Sequence, residues 1–483
     1  MKIRRSTIYK WVFVVFFLNI MVWKGFSQYS GSLMMFPDNF YSQIMNPAYT
    51  RTDQATSLAV PGLAGLSFKN TGNFKISDVI SVSSDGKPEW DFERFYNKSK
   101  PNNFIGQNLS FPLIFISTPA KGGFFSFYYQ ERAQVFSRFN SASIEYINNG
   151  NIPPEYRNFS TENLNSVGLG FHEFAFGYAQ SLNQKINIGF RGKLLFGGVY
   201  YSAQNWEYGI LTSESGDKVT LTSSGTGEMS FPIPVYLSNK EQVYYIDKSH
   251  AIGKYLASYN NPGIAVDLGI TWNIDESNIM SLAIRDLGGI WFRKNGFGLT
   301  LNGNYDYAGF DLENAIRFLE ENGYVNPLTS VMDTKEEIRN VYRPFADFAK
   351  FIKPMSPQTI IHYQLKYSPK LEIGITNQSI FQKKFFYNSM TITALQKWTN
   401  FSMFENINVN QLSSVSFGGG FQYTGKIAQV FLATDNLIAF YHPANNRTLS
   451  LSLGMCFLLN HEKGEGESKG KFLPYLPFYR IYD

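Results

Sequence analysis

The stretch Ile264-Ala-Val-Asp-Leu-Gly-Ile-Thr-Trp272 decides the fold, because large apolar residues alternate in it with small or polar ones. Successive side chains of a β-strand point to opposite faces, so the five large residues share one face and the other four share the second. A strand with one broad apolar face and one face of small polar residues suits a wall between lipid and a crowded interior. The second face consists of Ala265, Asp267, Gly269 and Thr271.

Comparable runs follow one another along the chain. Short polar turns, such as those at residues 182–184 and 275–277, separate neighbouring runs. Counting the runs between Leu109 and Leu459 predicts roughly 14 strands, and a single-chain bacterial barrel should have an even number. The clearest further examples lie at residues 173–179, 186–193, 280–285 and 449–457.

This alternation is compatible with a membrane barrel or with a soluble β-sandwich. A sandwich would carry Lys, Glu and Thr freely on its polar face, whereas here that face is rich in Gly, Ala and Ser. Beyond the N-terminus, no segment stays apolar for the roughly 18 residues of a membrane helix. A chain that spans a membrane without helices must form a closed barrel, because its backbone polar groups need partners within the protein. We therefore predict an all-β, transmembrane antiparallel barrel.

Composition agrees with this fold and excludes several functions. Charged residues make up 17% of the chain and aromatic residues another 17%, while a mean hydropathy of −0.20 is too polar for a bundle of membrane helices. The net charge of +5 arises within residues 1–27, which hold five basic residues and no acid; the 38 other basic residues balance the 38 acidic ones. This balance gives no support for nucleic-acid binding. The single cysteine, Cys456, excludes an intrachain disulfide.

Residues 1–27 have the pattern of a secretory signal peptide. A basic start precedes an apolar run from Trp11 to Trp23, and Gly25-Phe-Ser27 then supplies the small residues that signal peptidase requires. The alternative is a membrane anchor, but this run is short against the roughly 20 residues that span a bilayer. We predict cleavage between Ser27 and Gln28 and export to the outer membrane of a Gram-negative cell. The expected partners are therefore outer-membrane lipid and the barrel-assembly machinery.

Two predicted hairpins carry opposite charges on their inward face. A turn centred on position 183 would place Glu173 opposite Lys193, and a turn centred on position 276 would place Asp267 opposite Arg285. Opposite charges directly across an antiparallel pair stabilise its register by a few tenths to about 1 kcal/mol. These four residues are predicted to be lumen charge pairs, which either set the register or line a path.

Some segments depart from the strand pattern. Residues 28–105 are less periodic and are predicted to plug the lumen or to cap its periplasmic mouth. Residues 301–355 show helical spacing at 312–320 and a capping-box pattern at 334–338, which predicts a small helical insertion. The remaining assignments are barrel at residues 106–300 and 356–460 and a C-terminal tail at residues 461–483.

No catalytic or metal site emerges from the sequence. The five histidines are scattered, without the i, i+4 pair of a zinc site. Gly466-Glu-Ser-Lys-Gly470 matches the hydrolase pattern G-x-S-x-G, but it lies in a charged tail with no strand before it. We predict a protein that is not an enzyme and that uses neither a cofactor nor a metal.

Three motifs occur in a characteristic order: Met45-Asn-Pro-Ala-Tyr49, Ser281-Leu-Ala-Ile-Arg-Asp-Leu-Gly-Gly-Ile-Trp291 and Ala433-Thr-Asp-Asn-Leu437. Within an exported β chain, this order and spacing resemble an uncharacterised family of outer-membrane barrels that carries a domain-of-unknown-function label. Its wider relatives are the FadL-like 14-stranded barrels and the PorV and PorP/SprF proteins of type IX secretion and gliding.

The resemblance implies two alternative roles. Likeness to FadL-like barrels implies an N-terminal plug and the passage of a small or hydrophobic molecule. Likeness to PorV or PorP/SprF implies a scaffold that docks other envelope or secretion proteins. A passage role predicts a continuous path beyond residues 28–105, whereas a scaffold role predicts a filled lumen and a large apolar docking patch.

Overall fold

A computed structural model describes thirteen ranges of the chain. It contains one large antiparallel sheet, two small hairpins and a few short helices. The predicted signal peptide at residues 1–27, the tail at residues 461–483 and residues 312–320 and 334–338 of the predicted insertion lie outside these ranges. The described residues are 30–82, 87–142, 144–145, 158–161, 164–213, 218–232, 235–237, 244–246, 251–307, 341, 345–382, 385–410 and 414–459.

The elements are numbered in chain order. The helices are α1 (Phe40–Met45), α2 (Phe92–Lys98), α3 (Ala251–Leu256) and α4 (Ile438–Tyr441), and 3-10 turns lie at Gly31–Met35, Ile76–Asp78 and Pro443–Asn445. The strands are β1 (Thr56–Ala59), β2 (Leu66–Gly72), β3 (Ile80–Val82), β4 (Pro88–Trp90), β5 (Asn102–Ala120), β6 (Gly123–Asn140), β7 (Asn158–Ser160), β8 (Leu164–Ser181), β9 (Ile186–Thr212), β10 (Val219–Ser230), β11 (Val235–Leu237), β12 (Tyr244–Ile246), β13 (Pro262–Asn273), β14 (Asn278–Phe292), β15 (Gly296–Tyr307), β16 (Phe345–Phe348), β17 (Phe351–Pro354), β18 (Gln358–Lys366), β19 (Leu371–Gln382), β20 (Phe385–Lys397), β21 (Phe401–Asn410), β22 (Ser414–Thr424), β23 (Ala428–Thr434) and β24 (Thr448–Leu459).

Fourteen wall positions of the described chain close into a barrel, which confirms the predicted fold. Strands β1 and β2 share one position, between β24 and β5, and so seal the wall. Strands β17 and β18 share another, next to β14. The remaining positions are held by β5, β6, β8, β9, β13, β14, β19, β20, β21, β22, β23 and β24.

One end of the barrel is extended by a flap. The second half of the long strand β9 continues past the wall and pairs with β10, which pairs with β15, which pairs with β16. The opposite end has short turns, at positions such as 182–185 and 274–277, as the periplasmic ends of such barrels do.

The outer face of the wall is apolar, as the alternation predicts. In β21 the outward side chains of Met403, Ile407 and Val409 are 38–41% exposed, whereas Asn406 and Asn408 face inward and are buried. Side chains that face lipid should be apolar, and polar ones are expected to face the lumen. No helix among the described residues is long and apolar enough to cross a membrane.

The boundary predicted at residue 105 is wrong, because the segment 28–105 contains three different structures. Residues 30–55 enter the lumen, whereas β1 and β2 belong to the wall. Residues 73–82 and 87–101 form a small cap at the flap end, built on an apolar cluster that includes Phe74, Val79 and Phe95. Short wall strands separated by Gly62 and Gly65, both with positive φ, gave too little alternation to be recognised.

The boundaries of the helical insertion are also wrong at both ends. Strand β15 continues to Tyr307, and β16 and β17 occupy Phe345–Pro354 except for the turn between them. The insertion therefore lies in the chain between β15 and β16, which are both strands of the flap.

Candidate functional site in the barrel lumen

Three layers fill the described lumen from the short-turn end toward the flap. We call residues 30–55 the plug. The charged layer consists of Arg132, Glu173, Arg191, Lys193, Asp267, Arg285 and Asp286, all of which are buried. The aromatic chamber, on the flap side of these charges, is formed by the packed side chains of Phe104, Phe136, Phe171, Tyr200, Phe292 and Phe351.

The plug folds on local signals. Asn39 caps α1, since its side chain accepts a hydrogen bond from Tyr41 N at 2.9 Å. The helix stops before Pro47, and the Asn46 side chain accepts from Ala48 N at 2.9 Å to close a turn. All side chains of α1 are buried, because they pack against inward residues of the wall such as Phe115.

The charged layer is a network of ion pairs across the lumen. Arg132 donates to both carboxylate oxygens of Asp286, at 2.9 and 2.8 Å, and to Glu173 at 2.6 Å. Lys193 lies 2.7 Å from Asp286, 2.8 Å from Asp267 and 3.3 Å from Glu173. Buried charges are tolerated where each one is paired and hydrogen-bonded, as Arg132, Lys193 and their three carboxylate partners are.

The predicted opposition of Glu173 and Lys193 is wrong in register. The turn centres on position 184, so Glu173 lies opposite Leu195 and Lys193 opposite Ala175. Both side chains still point inward, and their length allows contact along the diagonal at 3.3 Å.

The second hairpin turns at position 276, as predicted, but a bulge at Asp267 interrupts the pairing, so that Arg285 and Asp286 both lie across from it. The register of β13 and β14 shifts between Val266 and Leu268, and Asp286 adopts a φ of 62° there. The bulge turns Asp286 into the lumen, and its backbone N–H donates to Asp267 at 2.9 Å. Asp267 pairs instead with Lys193 and, at 3.2 Å, with Arg191.

Sequence reasoning missed Arg132, Arg191 and Asp286. The alternation of faces along a strand could have placed both arginines in the lumen, since each lies two residues from another inward-facing polar residue. No local pattern could have identified Asp286, because regular alternation from Asp267 and Arg285 puts it on the outer face.

Arg191 connects the charged layer to the plug. Its guanidinium donates to the carbonyl oxygens of Gln43 at 2.6 Å and of Ile44 at 3.0 Å, at the C-terminal end of α1. These carbonyls have no partner within the helix. A cation at this end is also attracted to the negative end of the helix dipole. The plug is thus fastened to a buried side chain that Asp267 holds in place.

Further contacts fasten the plug to the wall around its circumference. Burial raises the pKa of Tyr49, and its hydroxyl donates to the Met34 carbonyl at 3.1 Å and lies 3.3 Å from the Ser281 hydroxyl. Further hydrogen bonds to the wall join Ser30 to Asp435, Asn39 to Gln422, Gly31 O to Thr376, and Ser32 to Thr393 and Asn406.

Two wall glycines leave room for the plug turn at Asn46-Pro47-Ala48. A Cβ at Gly189 would lie 2.1 Å from the Pro47 carbonyl oxygen, and one at Gly269 would lie 2.1 Å from Asn46 Oδ1. Real Cβ atoms do not approach other atoms so closely, so no other residue fits at either position without displacing the turn.

The aromatic chamber differs from a water-filled pore. The rings of Tyr200, Phe292 and Phe351 contact one another with centroid distances of 5.2–5.3 Å. The chamber meets the charged layer where Arg132 lies over the Phe171 ring at 5.1 Å. A porin lumen is polar, whereas this part of the lumen is apolar and filled by packed aromatic side chains.

The described lumen offers no grouping of at least three His, Cys, Asp or Glu residues that could hold a metal. Its carboxylates are engaged by Arg and Lys rather than poised beside a nucleophile. Beside Met45 and Arg285, between plug and wall, a space of about 10 Å³ is large enough for one water.

Comparison with known proteins gave matches of two kinds. A family model described as a family of unknown function, DUF5723, matches residues 47–435. Among solved structures, the chain is similar to the toluene transporter TbuX of Ralstonia pickettii, with 9% identity, a TM-score of 0.38 and coverage of 90% of this chain and 94% of that one. It is similar to a FadL homologue of Pseudomonas aeruginosa, with 10% identity, a TM-score of 0.39 and coverage of 90% and 98%. A comparison with curated proteins found no match.

Proposed function

Because the chain belongs to DUF5723, a family of unknown function, we propose from the structure of its lumen that it is a non-enzymatic outer-membrane barrel that passes small apolar molecules. The family membership confirms the resemblance drawn from the three sequence motifs. We place it in the outer membrane, the location that suits a closed barrel with an apolar outer face and the export signal predicted from the sequence.

The aromatic chamber is the observation that carries this proposal. Burying apolar surface stabilises a complex by about 25 cal/mol per Å². A small molecule that buries roughly 150 Å² would gain about 4 kcal/mol, which corresponds to a millimolar Kd. Binding of that strength admits a solute and also lets it leave, as passage requires.

The charged layer favours uncharged solutes. Arg132 and Lys193 already have carboxylate partners within 3.3 Å, so an incoming anion would have to displace a buried carboxylate. The plug closes the lumen on the far side of these charges, and passage therefore requires the plug to shift.

The test is uptake of the apolar fluorescent probe 1-N-phenylnaphthylamine by cells with an intact lipopolysaccharide layer. Cells that produce the protein should accumulate the probe faster than cells with an empty vector. Phe351→Glu, which places a charge in the chamber, should reduce uptake to the vector level, and Phe351→Leu should retain it. The neighbouring Ile352 faces outward and is 68% exposed, so Ile352→Ala is the matched control. Equal uptake with and without the protein would refute the proposal.

The alternative role, docking of type IX secretion or other envelope machinery, stays a prediction. Of the two features that it predicts, a filled lumen is present among the described residues, whereas the apolar patch is expected on the insertion or the tail, whose residues 308–340 and 460–483 lie outside them.

A further inference from the structure

Two ionisable side chains face outward on the barrel wall, where lipid-facing charges are destabilising. Glu131 follows the inward Gln130 on β6, and His172 follows the inward Phe171 on β8. Despite this orientation, His172 is fully buried and the Glu131 side chain is only 13% exposed. Residues 251–260 cover both side chains. We call these residues the strap; they comprise α3 and the residues that lead to β13.

The strap is bonded to this pair at several atoms. His172 Nδ1 lies 2.6 Å from Glu131 Oε1, and His172 Nε2 lies 3.1 Å from the backbone carbonyl oxygen of Tyr255. The Tyr255 hydroxyl donates to Glu131 Oε2 at 3.3 Å. Tyr259 packs on the imidazole with a centroid distance of 5.1 Å.

The wall is shaped to receive the strap. A bulge occurs at Gly198 of β9, the extra residue between the pairs Gly170–Val199 and Phe171–Gly197. A Cβ at Gly198 would lie 2.4 Å from the Tyr255 ring, so the ring sits directly on the backbone. The strap therefore occupies a seat on the outer face, and its position is specific.

The hydrogen bonds determine the number of protons that the pair holds. A backbone carbonyl can only accept, so His172 Nε2 must carry a proton. The short contact between Nδ1 and Glu131 needs a second proton, whether it resides on nitrogen or on oxygen. With both protons the pair is neutral overall. Loss of one proton leaves a net negative charge and gain of one leaves a net positive charge, each buried on the outer face.

We propose that residues 251–260 form a pH-dependent strap, held on the outer face of the barrel by the Glu131–His172 pair. The other titratable groups that face the pair are Tyr129 on β6, which donates to Glu131 at 2.6 Å, and Tyr255 and Tyr259 on the strap. Burial and the nearby Glu131 raise the pKa of Tyr255, so its hydroxyl stays protonated and keeps donating. The inference stands on this cluster and does not depend on the proposed function.

The strap can be followed by thiol labelling of the folded protein in detergent. Ser258 lies on the strap and is 4% exposed, while Gln184 lies in an exposed turn. Maleimide labels the new thiol of the Ser258→Cys variant and that of the Gln184→Cys variant. The rate ratio is the first labelling rate divided by the second, and this division removes the intrinsic effect of pH on thiols. The native Cys456 is buried, and the wild type supplies the background rate.

The rate ratio should be lowest near neutral pH and rise by about tenfold or more toward both acid and alkaline pH, since an unpaired buried charge is strongly disfavoured. Glu131→Gln and His172→Gln should raise the ratio at neutral pH. The double variant Glu131→Leu/His172→Leu should give a flat profile, because the pair then has no proton to exchange. Glu276→Gln, in an exposed turn, is the control. A flat wild-type profile, or an unchanged profile in the double leucine variant, would overturn the proposal.

Discussion

Single residues of this barrel are constrained most tightly where the wall touches the plug. Gly189 and Gly269 are small because carbonyl and amide atoms of the plug turn lie where their side chains would be. Both occur in strands whose sequence already alternates, so their role as a seat becomes visible only when the plug is in place.

The seat can be tested with Gly269→Val. The new side chain would displace the turn at Asn46-Pro47 and should lower the free energy of unfolding by about 1–3 kcal/mol, as overpacking does. The control is Gly192→Val on the outer face of β9, where a Cβ would approach only Phe190, at 4.0 Å. Urea unfolding of both variants in lipid vesicles gives the comparison, and equal values would contradict the seat.

Lys193 is the residue on which the charged layer depends most. It contacts three carboxylates, so Lys193→Met leaves them with too few positive partners. We expect a loss of about 3–5 kcal/mol in the free energy of unfolding. Lys185→Met, in an exposed turn, should change it by less than about 0.5 kcal/mol. A small effect at Lys193 would mean that water reaches and screens the layer.

At the scale of elements, the N-terminal segment divides between lumen and wall. The plug fills the lumen, whereas β1 and β2 lie between β24 and β5 and close the barrel. A closed wall leaves no unpaired strand edge in the membrane, so these two short strands are essential to the fold.

Two deletions separate these roles in planar bilayers. Removal of residues 30–49 should leave a folded barrel with a steady conductance that the full chain lacks. Removal of residues 28–105 also takes away β1, β2 and the start of β5, and should yield no heat-modifiable folded form. Equal conductance of the full chain and of the shorter deletion would show that the plug does not close the lumen.

At the scale of the whole molecule, the lipid determines what the outer face can carry. Ile407 lies in the middle of the outward row of β21 and is 41% exposed. Ile407→Lys should therefore destabilise the barrel by roughly 2–4 kcal/mol, the cost near the bilayer midplane. Ile427→Lys, in a turn at the short-turn end, should cost about 0–1 kcal/mol. The measurement is refolding into vesicles at increasing urea, and equal costs would place both residues at the same depth.

The sequence by itself determined the fold class, because alternation with period two reports directly which face of each strand meets lipid. It also located the lumen charges at Glu173, Lys193, Asp267 and Arg285, since parity alone assigns a side chain to a face. Their partners were not predictable: the turn at position 184 and the bulge at Asp286 each shift the register by a residue, and no local pattern encodes such shifts. Only the tertiary structure decided that residues 30–55 fill the lumen while β1 and β2 close the wall. Both outcomes depend on contacts between segments hundreds of residues apart, such as Ser30 with Asp435, and those contacts exist only once the barrel has closed.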